Sequence, residues 1–426
     1  MNRRAFHFEG RHTMILDCER YAGACRCGRE HPLETKLVVV DYGCLNDFDR
    51  YMDECGLTGR RTVLYDTNTY NLPGMVHVRA DKELVLEAKG LHSEKSMIEA
   101  IIPQLDNPDV IVTVGSGTLM DFARYPANEL GIPFVAIPTL ASSDGFTANI
   151  CSVVIDGHKR SIPMHAPALV VADLNIIAGA PRFLTVSGIA DILAKHISIA
   201  DWKIAHLASG EYYCERTAAA AQEALDLMTK CADEMLRGGE PDYEAMTMAQ
   251  MISGLSMQML GNSRAASGAE HLVAHLVEMK PPRFEHAEGI HGECVGVGAV
   301  LCAAEYHRMA ESGRPKARPF RPLDESWVRE KFGALADGIL KENEHDVLAD
   351  FDPQNIVDHW DEICEIISTI PSAFDLAWTL HALGGKYMLS DIGIDESLRG
   401  EVLDISAAIR NRLTLARMKR VLDFGG

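Results

Sequence analysis

The sequence predicts an α/β N-terminal domain, residues 1–181, followed by an all-α C-terminal domain, residues 182–426. Three observations predict it. Short β-branched runs alternate with helical-looking segments as far as Pro181, the signature of a parallel sheet covered by helices. Beyond Phe183 those runs give way to stretches rich in Ala, Leu, Met and Glu, the stronger helix formers. Finally, 426 residues exceed the size at which a single hydrophobic core stops growing.

The elements follow in order. Lys36 to Asp41 (KLVVVD) and Thr62 to Asp66 (TVLYD) are strand candidates, and Ser93 to Leu105 is a helix candidate. Asp109 to Val114 (DVIVTV) is continuously apolar, as a strand buried on both faces of a parallel sheet must be. Pro133 to Ile137, Val153 to Ile155 and Leu169 to Ala172 complete the α/β part. Helix candidates then run over Val186–Leu207, Tyr212–Arg237, Glu244–Leu260, Ser267–Met279 and Cys294–Met309, with more from Trp327 onward.

Composition narrows the function classes. The chain is 47% hydrophobic and 24% charged, the balance of a soluble globular protein, and its net charge of −20 repels polyanions as a whole. Neither nucleic acid nor an anionic membrane surface is therefore an expected partner. No apolar run in the sequence reads as the roughly 20 residues needed to span a bilayer. The start, MNRRAFHFEGRHTM, lacks a secretory apolar stretch, so a cytoplasmic location is expected. Eleven dispersed cysteines do not read as a disulfide framework. Cys18, Cys25, Cys27 and His31 have the residue types of a structural zinc site, although Cys-x-Cys is not the usual knuckle spacing.

Five stretches carry chemistry. Gly115-Ser116-Gly117-Thr118 follows the buried strand and precedes a helix, where glycines let the backbone approach a pyrophosphate at the helix N-terminus. The same pattern also makes a plain strand-to-helix turn, and Gly-x-Gly-x-x-Gly is absent. Asp66, at the end of TVLYD, can accept from an adenosine ribose and would repel a 2′-phosphate, favouring NAD over NADP. The loop Pro138 to Gly145 (PTLASSDG) offers hydroxyls and a carboxylate to a nicotinamide or polyol, or else forms an Asx-type turn. Asp191, in SGIAD, is a candidate oxygen ligand or a favourable charge in a helix's first turn paired with Lys195. His271 and His275 share a helix face at four-residue spacing, and His286 and His291 follow. Imidazole is the commonest metal ligand, but such pairs also occur as ordinary helix residues.

In the order GSGT, PTLASSDG, GHKRSIP, SGIAD, GAEHLVAH and HGE, the sequence resembles the superfamily of group III alcohol dehydrogenases, glycerol dehydrogenases and dehydroquinate synthases. Within it, CRCGREH, PTLASSDGFTA and DGHKRSI make the chain similar to the bacterial branch of the sn-glycerol-1-phosphate dehydrogenases. That resemblance, from about Cys25 to about Arg417, implies a dehydroquinate synthase-like fold. It implies a divalent metal, Zn²⁺ or Ni²⁺, on Asp191, His271 and His291, with an open coordination position. His275 would face the substrate rather than the metal. NAD, with NADP as the alternative, would lie on Asp66, Gly115, Ser116, Gly117, Thr118, Asp121, Thr139, Ser142 and Ser143. Asp144, Lys159, Arg160, Arg264 and His275 would contact substrate, with His275 or Asp144 relaying the proton.

The implied reaction is reduction of dihydroxyacetone phosphate to sn-glycerol 1-phosphate, reversibly, in a cleft between the domains. An oligomer of identical chains is implied as well. Lys159, Arg160, Arg264 and Lys195 favour a phosphorylated substrate, since an uncharged polyol needs no cationic cluster. A dehydroquinate synthase-like lyase is the rival reading, against which SGAEHLVAH lacks the asparagine of that family's histidine helix. A glycerol dehydrogenase acting on an unphosphorylated polyol, or a metal-binding relative without turnover, would also be compatible with the ligand set.

Overall fold

The runs of Val and Ile that lack any polar face assemble as the centre of a parallel sheet. In the computed structural model, which describes residues 6–8 and 11–425 with side chains from residue 14 onward, these strands are β1 (Ile15–Leu16), β2 (Leu37–Asp41), β3 (Arg61–Asp66), β4 (Lys82–Leu86), β5 (Val110–Gly115), β6 (Phe134–Pro138) and, after the hairpin β7 (Ile150–Ile155) and β8 (His158–Pro163), β9 (Leu169–Asp173). The order across the seven-stranded sheet is β1-β2-β9-β6-β5-β3-β4. All neighbours are parallel except β1 with β2. The stretch read for a secretory signal includes residues 1–5 and 9–10, which lie outside the described residues.

This order places the ligand end of the sheet. From β3 the chain moves outward to edge strand β4, then returns to β5 on the other side of β3. Loops leaving β3 and β5 therefore diverge, and open α/β sheets bind ligands in the crevice at such a reversal. Asp66 ends β3 and Gly115 ends β5. α1 (Gly117–Leu130) starts directly after β5, as the sequence predicts.

The helical part comprises α2 (Arg182–Leu193), α3 (Lys195–Ser209), α4 (Glu215–Leu236), α5 (Tyr243–Leu260), α6 (Ala269–Met279), α7 (His291–Glu311) and shorter helices to the C-terminus. By contact the chain gathers into two units, Met1–Ile192 with Ala219–Ser263, and Leu193–Ala218 with Arg264–Gly426. The first holds the sheet together with α5. In the second, Val273, Ala274, Leu276, Val277, Cys294, Val295 and Val297 bury the facing sides of α6 and α7. These two helices meet at Gly298, where a Cβ would lie 2.4 Å from the Glu270 carbonyl oxygen, so only glycine permits the approach.

The expectation about apolar length needs correction. Arg182–Ser209, 28 residues, and Trp360–Leu383, 24 residues, are long and apolar enough to cross a membrane by length and composition. Asp191, Lys195 and Asp201 interrupt the first in the sequence, and so hide it from inspection for unbroken apolar runs. Most of that stretch, 83% of its apolar window, is buried inside the protein as a core helix would be.

Candidate metal centre and cofactor loops

Two histidines and an aspartate come together where the helical elements begin. Asp191 is fully buried, His271 lies in the first turn of α6, and His291 is the first residue of α7. Each offers a ligand atom, and these atoms all lie within 4.8 Å of one another. The rings of His271 and His291 have centroids 5.4 Å apart. His275, one turn along α6, stands with its ring 6.3 Å from that of His291 and outside the three-residue group. His286 is exposed and pairs with Glu285 at 3.3 Å.

The orientation of both ligand rings is set by carboxylates. The Nδ1–H of His271 donates to Glu270 Oε1 at 2.7 Å, and that of His291 donates to Glu278 Oε1 at 2.8 Å. A carboxylate only accepts, so each ring carries its proton on Nδ1 and presents the Nε2 lone pair. Such pairing fixes the tautomer and raises ligand basicity, as histidines that bind metals require. Glu270 is itself held by the Gly268 amide at 2.8 Å. Neither glutamate is found by histidine spacing, although Glu270 adjoins His271 in the sequence. The donor set of one carboxylate and two imidazoles therefore fits a divalent ion with a position left for another ligand.

His275 differs from its neighbours. It is buried and its Nδ1 has no hydrogen-bond partner. Burial first, then Arg410, His291 and His271, hold its pKa well below the ordinary histidine value, with Glu278 opposing. It is therefore neutral at pH 7.

Asp191 also corrects an expectation. It is the tenth residue of α2, two turns beyond its start, so the first-turn charge reading fails for a helix that begins at Arg182 and not near Val186. Gly188, one turn earlier, explains the glycine of SGIAD. A Cβ there would meet the Ala141 carbonyl oxygen at 1.9 Å and Gln250 Nε2 at 2.5 Å. α2 thus packs its backbone against the PTLASSDG loop.

That loop is held from several sides. Ser143 Oγ accepts the Gly145 amide at 3.2 Å, the local turn that the sequence allows. Asp144 Oδ2 accepts the Ser253 hydroxyl of α5 at 2.8 Å. The Thr139 amide donates to the Gly115 carbonyl at 3.3 Å, joining this loop to the GSGT turn. Thr139 is buried, while Ser142 and Ser143 are half-buried. In the GSGT turn Ser116 is the N-cap without a side-chain cap bond, and Gly117 and Thr118 open α1. Asp66 caps the short helix Thr67–Tyr70, its Oδ1 accepting the Thr69 amide at 2.7 Å.

Two expected ligand contacts turn out to be occupied by the protein. Asp121, expected at the cofactor, is buried and accepts Arg124 Nη1 at 3.0 Å, Ser93 Oγ at 3.0 Å and the Ser152 amide at 3.3 Å. Arg124 in turn donates to the carbonyls of Gly145, Ala148 and Ile150 at 2.7–3.1 Å. The pair is a strut beneath the loop. Arg264, expected at the substrate, is likewise buried, with Nε on Glu211 at 2.7 Å and Nη2 on the Asp201 and Leu413 carbonyls at 3.1 and 2.5 Å. Lys159 and Arg160 are half-buried on β8.

Two further arginines carry no sequence signal, because they sit in the featureless RNR stretch near the C-terminus. Arg410 lies within electrostatic reach of His275. Arg412 donates to the Ser267 carbonyl at 2.6 Å, and burial, Arg264 and Arg410 pull its pKa down to about 10.

A parallel sheet with this reversal, a Gly-rich turn at its ligand end and an Asp-His-His donor set define the class of metal-dependent alcohol dehydrogenases. Residues 39–181 match the family model described as iron-containing alcohol dehydrogenase. The chain is 30% identical over 414 residues to the glycerol-1-phosphate dehydrogenase [NAD(P)+] of Halalkalibacterium halodurans, covering 94% of this chain and 96% of that one. It belongs to the glycerol-1-phosphate dehydrogenase family. The fold is shared with a probable glycerol dehydrogenase from Sinorhizobium meliloti, at TM-score 0.60 and 18% identity over 90% of this chain and 91% of the other. It is shared too with an iron-containing alcohol dehydrogenase from Corynebacterium glutamicum, at TM-score 0.57 and 14% identity over 93% and 97%.

Proposed function

We propose that the protein is an NAD-dependent, metal-dependent sn-glycerol-1-phosphate dehydrogenase that reduces dihydroxyacetone phosphate reversibly. The placement of Arg410 within electrostatic reach of His275 supports this reading, because it sets a cation beside the histidine assigned to the substrate, where a phosphate rather than an uncharged polyol calls for one. The name of the Halalkalibacterium halodurans relative agrees with it.

Asp191, His271 and His291 would hold the ion, Zn²⁺ or Ni²⁺, which supplies Lewis acidity to the substrate's C2 oxygen. NADH supplies the hydride. Glu270 and Glu278 keep both ligand imidazoles in one tautomer. Arg410 holds the substrate phosphate, aided by Lys159 and Arg160, and His275, neutral because buried, moves a proton to or from the C2 oxygen. Asp144 orients substrate through an oxygen tied to Ser253. The amides of Ser116, Gly117 and Thr118 receive the pyrophosphate at the start of α1, with Gly115 ending the strand beside them. Thr139, Ser142 and Ser143 face the nicotinamide, and the Asp66 carboxylate favours NAD over NADP. In this reading residues 1–181 serve the cofactor and 182–426 the metal and substrate, in a cytoplasmic homo-oligomer.

Purified protein with zinc or nickel, NADH and dihydroxyacetone phosphate, followed by loss of NADH absorbance, tests the proposal. Glycerol with NAD⁺ and a seven-carbon sugar acid phosphate are the rivals. Turnover of a rival without NADH loss on dihydroxyacetone phosphate refutes it. His291→Ala should lose metal and activity while His286→Ala keeps both; the reverse would reassign the ligand.

A further inference from the structure

The N-terminal cysteine cluster has no part in the reaction just described, yet its geometry is that of a ligand cage. Cys25 and Cys27 lie in the turn of a hairpin whose strands are Gly23–Ala24 and Glu30–His31. The turn is closed by the Cys25 amide on the Arg29 carbonyl at 3.0 Å and the Gly28 amide on the Cys25 carbonyl at 3.1 Å. Both sulfurs thereby stand on the same side as His31. Cys214, nearly two hundred residues later and fully buried, completes the group, and the four ligand atoms lie within 4.8 Å of one another. Cys18 does not belong to it, although the sequence suggests it does. Its thiol is buried elsewhere, and burial with Asp17 and Cys55 nearby pushes it up to about 12.

The imidazole is aimed. His31 is buried, and its Nδ1 lies 2.6 Å from the Met259 carbonyl, which can only accept. The proton is therefore on Nδ1, and the Nε2 lone pair faces the sulfurs, with Cys27 Sγ at 3.4 Å. In a tetrahedron with typical zinc–sulfur and zinc–nitrogen bonds the S···N edge is about 3.6 Å. The observed separation is that of two ligands of one ion. Ligand atoms this close suit a single ion rather than a multi-iron cluster, whose sulfurs bind different irons and stand farther apart. Three thiolates with one imidazole select a soft, tetrahedral d¹⁰ cation.

We propose that Cys25, Cys27, His31 and Cys214 form a second metal site, a closed structural one for Zn²⁺, distinct in donor chemistry from Asp191, His271 and His291. Four protein ligands leave no open position, so the site does not take part in turnover; it clamps the N-terminal hairpin to the residue that precedes α4. The inference does not rest on the dehydrogenase reading.

Full-length protein loaded with zinc and desalted should carry two zinc ions per chain by elemental analysis. Cys25→Ser/Cys27→Ser should carry one, and so should His271→Ala, each losing a different ion. Should the double serine variant fail to fold, the wild type suffices: Co²⁺-substituted protein should show thiolate-to-cobalt charge-transfer absorption that persists in His291→Ala. Zinc should also protect Cys25, Cys27 and Cys214 from alkylation, as read by peptide mass spectrometry, until a chelator is added. Absence of thiolate–cobalt bands, equal alkylation with and without zinc, or a disulfide among these cysteines in anaerobically purified protein would overturn the assignment.

Discussion

Replacing Asp201 by asparagine should abolish a pH response of unusual direction in the protein's stability. Asp201, on α3, is fully buried. Its Oδ1 accepts the Leu415 amide and the Tyr306 hydroxyl, both at 2.8 Å, and its Oδ2 accepts the Ala269 amide at 2.9 Å. Burial raises its pKa from 3.8 to about 6, against the pull of Arg264 and these amides. A carboxyl whose folded pKa lies above its unfolded one binds its proton more tightly when folded. Its contribution to stability is fully present below the unfolded pKa near 4 and is lost as pH rises to about 6. The shift of roughly 2 pH units corresponds to about 3 kcal/mol at neutral pH. Asp201→Asn cannot titrate, and it also turns one acceptor into a donor facing N–H or O–H groups, a pH-independent cost of about 1–3 kcal/mol. Urea denaturation of both proteins from pH 4 to 8, at fixed metal, measures the difference. Wild type should lose about 2 kcal/mol relative to the variant between pH 4 and 6.5. A difference that is flat, or that grows in favour of wild type as pH rises, would refute the desolvation argument.

Other perturbations read other parts of the molecule. Arg124→Ala should cost about 3–5 kcal/mol, seen as a lower Tm, because it strands the buried Asp121 carboxylate and three loop carbonyls. Gly188→Ala should destabilise by about 1–3 kcal/mol and raise KM for NADH, since the new Cβ must displace the Ala141 carbonyl of the loop proposed to face the nicotinamide; unchanged melting would mean that α2 shifts freely. Glu278→Gln should weaken metal affinity about 10–100-fold in a competitive chelator titration while leaving the fold intact. Arg410→Ala should raise KM for dihydroxyacetone phosphate far more than KM for NADH, and equal effects on both would remove Arg410 from the phosphate site.

What the sequence revealed followed from period and from residue type. DVIVTV read as a strand buried on both faces and KLVVVD as a β-branched strand candidate, and they are β5 and β2. Asp191, His271 and His291 were brought together by resemblance, and their candidate ligand atoms lie within 4.8 Å of one another. Contacts made across long sequence separations were not legible. Arg264 looked like a phosphate ligand, but its Nε and Nη2 donate to Glu211 and to the Leu413 carbonyl, 53 and 149 residues away. Asp121 stood beside the GSGT turn in sequence, but its carboxylate looks away toward Ser93 and Arg124. Cys214 carried no local signal at all, and only folding brings it to Cys25 and Cys27. Side-chain direction decides such cases, and one strand or helix of sequence does not contain it.

The two histidine-bearing clusters use one device to different ends. In each, Nδ1–H is tied down so that Nε2 is left to coordinate. For His271 and His291 the acceptor is a carboxylate, which pushes electron density into the ring and strengthens a ligand set of only three protein groups. For His31 the acceptor is a neutral carbonyl on α5, and three sulfurs supply the negative charge instead. A set of three with carboxylate support leaves room for an exchanging ligand, whereas four ligands close the shell. The Asp191 set should therefore yield its ion to a chelator first, and the Cys25 set should release its ion only as the hairpin opens. Timed chelation with parallel metal and thiol readouts distinguishes them: metal leaving the thiolates before catalytic activity falls would show that this ordering of the two sites is wrong.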